Sequence, residues 1–110
     1  MENEINVQNI INKAFTDPIS NLLLEKSNLT KIQFETLIID LLTDVMSDEK
    51  VSFNQKTNFR TKKVKRGSFS RTLSQARMRV SSSIFTIILL SYIGIFEERP
   101  FDNYLLTNFL

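Results

Sequence analysis

Residues 29–46, LTKIQFETLIIDLLTDVM, hold the strongest helix signature in the chain. Thr30 with Gln33 three places later is a capping box, in which each side chain satisfies a backbone N–H of the other residue at a helix start. Leu29 and Phe34 stand at the two positions of a hydrophobic staple. Phe34, Leu37, Ile38, Leu41 and Val45 follow at helical spacing, and Leu42 and Met46 widen the stripe. Asp48 and Glu49 should end this helix, because carboxylates are unfavourable at its negative pole. Asp40 and Asp44 share another face, with Glu35 nearby. Carboxylates alone can hold Mg²⁺, but on an amphipathic helix they read first as exposed acids.

Upstream, Val7, Ile10, Ile11, Ala14 and Phe15 repeat with the period of an amphipathic helix that stops near Thr16. Asp17 is a good N-cap, and Pro18 at the first helical position surrenders an N–H that lacks an intrahelical partner anyway. Ile19, Leu22 and Leu23 then mark a short second helix ending around Ser27 and Asn28. Downstream, residues 48–67 show no helical period. Val51-Ser52-Phe53 alternates like a short strand, and residues 59–64 are placed to pair back as a basic hairpin, or else to form an arm that orders on a partner. Gly67 closes that segment, and Ser68 or Ser70 should cap a fourth helix. Phe69, Leu73, Ala76, Val80, Ile84 and Ile87 give it one continuous buried face. Ser81-Ser82-Ser83 marks an expected bend or break, since serine competes for backbone hydrogen bonds in a helix interior.

Residues 84–96 are apolar nearly all round, as for an enclosed core helix or an interface helix. Their 13 residues fall short of the roughly 20 that span a bilayer. Pro100 stops the helix, and Asp102 can cap a last short one through Tyr104, Leu105 and Phe109. The expected fold is all-α, four to five helices in a single domain over residues 1–110. Its parts are an acidic helical half (1–47), a basic connecting segment (48–67) and a basic-then-apolar helical half (68–110).

Composition narrows the chemistry. The chain has no cysteine and no histidine, which removes disulfides, thiolate metal sites and the usual general base at neutral pH. No phosphate-cradling glycine loop or nucleophile elbow is present. The expectation is therefore no catalytic activity, no cofactor and no small-molecule substrate. Met1-Glu2-Asn3-Glu4 is acidic where an export signal would be basic, so the expected location is cytoplasmic, away from the membrane.

Charge gives the functional lead. Residues 51–96 contain no acid and nine bases: Lys56, Arg60, Lys62, Lys63, Lys65, Arg66, Arg71, Arg77 and Arg79. The regions before, within and after that stretch carry net charges of −5, +9 and −2, so a total of only +2 conceals strong polarisation. A field of one sign attracts polyanions. Arg60, Lys62, Lys63, Lys65 and Arg66 would form a basic arm, followed by a helix exposing Ser70, Arg71, Ser74, Gln75, Arg77 and Arg79. Arginine bonds a guanine edge, glutamine an adenine edge and serine the phosphates.

Ser70-Arg71-Thr72-Leu73-Ser74-Gln75 resembles the start of a recognition helix in helix-turn-helix proteins. Ile88-Leu89-Leu90-Ser91-Tyr92-Ile93-Gly94-Ile95 is similar to the helix end and glycine that precede the wing of winged-helix regulators. The tail after Glu98 departs from that plan, leaving little room for a wing before Asp102. The resemblance implies a small DNA-binding regulator or architectural factor, working as a homodimer through residues 84–96 and 101–110. The alternative is a helical adaptor whose basic segment docks on an acidic protein surface. A third option is RNA binding with Phe59 and Phe69 stacking on unpaired bases.

Overall fold

The computed structural model describes residues 2–46, 51–94 and 104, and it is all-α, with no strand among them. Five helices follow in order: α1 (Glu2–Thr16), α2 (Pro18–Lys26), α3 (Lys31–Met46), α4 (Phe53–Lys56) and α5 (Arg66–Ile93), with a 3₁₀ turn at Thr57–Phe59 between the last two. The chain divides into two compact units, Met1–Arg79 and Val80–Leu110.

The ends of the early helices lie where their capping residues put them. The Asp17 carboxylate accepts from the Ser20 backbone N–H at 3.0 Å, and Pro18 opens α2. Thr30 and Gln33 exchange the reciprocal capping bonds at 3.1 Å each. A second capping box appears where a strand was expected. The Ser52 side chain accepts from the Gln55 N–H, and Gln55 accepts from the Ser52 N–H, which starts α4. The expected basic hairpin is therefore replaced by a short helix, a 3₁₀ turn and an extended run into α5.

The core of the first unit gathers Val7 and Ile11 from α1, Ile39 from α3, Phe59, and Phe69 with Leu73 from α5. Phe53 packs its ring against Phe69, and Phe15 meets Phe34 edge-on. Phe59 and Phe69 are 8% and 0% exposed, so neither is available to stack on a nucleobase. They fill the core instead.

The inward face of α3 corrects the sequence reading. Leu41 and Val45 are 61% and 80% exposed, whereas Gln33, Thr36, Asp40 and Thr43 are buried beside Ile39. Those four polar residues recur every three or four positions, a helical stripe that reads as the solvent side. It faces inward because its groups find partners there. Thr36 and Thr43 return their hydroxyls to the Ile32 and Ile39 carbonyls, and no buried side-chain polar atom among the described residues is left unsatisfied.

Three expectations about α5 also change. The helix begins at Arg66, with the Phe69 N–H bonded to the Lys65 carbonyl, so Gly67 lies within the first turn instead of ending a loop. It then continues through Ser81-Ser82-Ser83 to Ile93 without a break. Its buried face also ends early: Phe69, Leu73 and Ala76 are buried, but Val80, Ile84 and Ile87 are exposed. Residues 27–30 make a four-residue connection from α2 to α3, while α4 and the 3₁₀ turn intervene between α3 and α5. The expected ends at Asp48 and Glu49, and the last helix after Asp102 apart from Tyr104, lie outside the described residues.

Candidate nucleic-acid interface

The nine bases of residues 51–96 separate into groups with different surroundings. Lys56, 3% exposed at the end of α4, donates to the Asp40 carboxylate at 2.8 Å and lies 2.9 Å from that of Asp44. Burial by itself would lower the Lys56 pKa. The bonds to Asp40 and Asp44 outweigh that loss of hydration and hold the ammonium above its ordinary range.

Arg60 is 8% exposed and donates from Nε to Glu35 at 2.7 Å and from Nη1 to Thr36 at 3.3 Å. The Glu35 carboxylate also accepts from the Thr61 N–H and hydroxyl, at 2.8 and 3.0 Å. It thus clamps the chain immediately before the Lys62-Lys63 pair. Arg77 of α5 donates to the second oxygen of Asp40 at 2.7 Å. Three acids of α3 therefore face three of the nine bases.

This arrangement corrects the sequence reading at several positions. Arg60 is a buried structural cation and not part of a basic arm. Arg77 is committed to Asp40, although its side chain remains 59% exposed. Glu35 and Asp40 are buried ion-pair partners, not solvated acids, while the Asp44 side chain stays half-exposed. Arg79 donates to the Asn28 carbonyl, and the Asn28 amide donates back to the Arg79 carbonyl.

Lys62, Lys63, Lys65, Arg66 and Arg71 remain. All five are exposed, and no ion pair with a described residue engages any of them. Four flank the start of α5, and Arg71 lies just over one turn further along. At 3.6 residues per turn, Arg71, Ser74 and Gln75 fall opposite the buried Phe69, Leu73 and Ala76. Ser74 and Gln75 are exposed, whereas Ser70 is half-buried.

The cations stand at the pole of α5 where they are least welcome. A helix N-terminus carries about half a positive charge, and each nearby cation there costs roughly 0.3–1 kcal/mol. No acidic residue occupies the first turn to offset it. An anion bound at this place would relieve the repulsion and meet the free N–H groups of the first turn.

Sequence reasoning missed two pairings on α3, Asp40 with Lys56 and Glu35 with Arg60 and Thr61. The stripe Gln33, Thr36, Asp40 and Thr43 was visible, but not that Lys56 and Arg60 would fold back against it. No family model, curated protein or solved structure matches the chain.

Proposed function

We propose that the protein binds duplex DNA without catalysis, as a small regulator or architectural factor. The contact is made by Lys62, Lys63, Lys65, Arg66 and Arg71, with Ser74 at the phosphates and Gln75 reaching a base edge. One observation carries this reading: five exposed cations at the positive end of a helix, with no carboxylate of the described chain against them. Electrostatic binding releases counterions from the duplex. Arg60 and Arg77, committed to Glu35 and Asp40, are left out of the contact.

The test is duplex binding by fluorescence anisotropy across a salt series. Five phosphate contacts give a log–log slope of about −4 to −5. The triple variant Lys62→Glu, Lys63→Glu, Arg66→Glu should lose most of that slope. A wild-type protein that fails to bind duplex at low salt would end this reading. The same cations would serve an adaptor docking on an acidic protein, and exposed Ile19 and Leu23 on α2 favour a protein contact. Capture of a partner that survives nuclease treatment separates the adaptor from the DNA binder.

A further inference from the structure

Residues 80–94 contain no charged side chain, yet Ile84, Phe85, Ile87, Ile88, Leu89, Tyr92 and Ile93 are each more than half exposed. Isolated exposed apolar residues are ordinary; a contiguous, uncharged stretch of them marks a contact surface. The exposure runs round the helix, and within it Ser81, Phe85, Ile88 and Tyr92 recur at spacings of four, three and four, the repeat of a helix–helix seam.

We infer that this seam pairs with the same seam of a second copy, making the protein a homodimer through the C-terminal half of α5. Ile84, Phe85, Ile88, Leu89 and Tyr92 together present on the order of 700 Å² per copy, near the ~800 Å² that each partner buries in a standard interface. Because the stretch is uncharged, pairing buries no unmatched ion. Ser81 at one end of the seam lets the two backbones approach. The other exposed apolar residues of α3, Ile32, Leu41 and Val45, are interrupted by charged neighbours and form no comparable seam.

A bilayer is the rival occupant, since α5 is long and apolar enough by length and composition to cross one. The whole uncharged run, residues 80–96, has 17 residues, however, against about 20 needed to span a bilayer. Any 18-residue window within α5 must include Arg77 and Arg79. Arg77 is fixed to Asp40, and the preceding Ala76 is fully buried in the first unit. That turn is held in the folded protein and is not free to insert. A second copy fits where a membrane does not.

The inference is independent of DNA binding, and its test needs no nucleic acid. Sedimentation equilibrium on the full chain should show a dimer. Ile88→Glu should weaken it by at least roughly 100-fold while leaving helicity by circular dichroism unchanged. Ile93→Glu, off the seam, should leave the dimer intact. A monomeric wild type, equal disruption by both variants, or co-sedimentation of the wild type with uncharged phosphatidylcholine vesicles would each overturn the proposal.

Discussion

Arg60 and Lys62 are two residues apart and carry the same charge, yet one is sealed against Glu35 and the other stands in water. A division by pairing follows it: Lys56, Arg60 and Arg77 are engaged by the acids of α3, and no ion pair with a described residue engages the exposed group between residues 62 and 71. A positive stretch of sequence is therefore not yet a positive surface. The field that reaches a partner is what remains after the fold's own acids have taken their share. Here α3 supplies Glu35, Asp40 and Asp44, and the bases they engage hold the connecting segment and α5 against it.

The two groups should respond oppositely to mutation. The largest effect is expected at Glu35. Alanine there strands a buried guanidinium and removes the acceptor for both Thr61 donors, costing about 3–5 kcal/mol in urea unfolding. The charge-reversal triple at Lys62, Lys63 and Arg66 should do the converse. Its duplex affinity at low salt should fall by roughly 100-fold, with the salt slope reduced by about 3. Its unfolding midpoint should hold or rise, because acids suit the N-terminus of α5.

Smaller effects sharpen the contrast. Gly67 has no positive φ, and an added Cβ meets nothing within 4 Å. Gly67→Ala should therefore stabilise α5 by about 0.5–1 kcal/mol. If duplex affinity nevertheless drops, the backbone at Gly67 approaches the ligand closely. The pH dependence is the mildest signature. Lys56 has a raised pKa, so its contribution to stability is complete below the ordinary lysine value of 10.5 and is lost as pH rises through its folded value. Asp17 is lowered by the Ser20 backbone and hydroxyl bonds, so its contribution is present above 3.8 and disappears as pH falls through the depressed value. Thermal melts between pH 2 and 12 should show both losses at the extremes and a plateau between them.

Helix ends were legible because caps are local. Asp17-Pro18 and Thr30 with Gln33 announce themselves within four residues, whereas Ser52 with Gln55, at the same spacing, is hidden behind the strand-like alternation of Val51-Ser52-Phe53. The face of α3 was not legible. Leu41 and Val45 look like core and Asp40 like surface until Lys56 and Arg77 arrive from 16 and 37 residues away. The candidate site shrank for the same reason. Lys62, Lys63, Lys65, Arg66 and Arg71 stayed accessible, while Arg60 and Arg77 were lost to partners that no local pattern could foresee. The three serines do not interrupt α5, which stays helical from Arg66 to Ile93.

Amine labelling of the native protein, read residue by residue by mass spectrometry, tests the partition of charges most directly. Lys62, Lys63 and Lys65 should react quickly and be shielded when duplex DNA is added, while Lys56 stays protected in both conditions. Labelling of Lys56 as fast as its three neighbours would contradict the account, because the buried pairs on which the division rests would then not exist in solution.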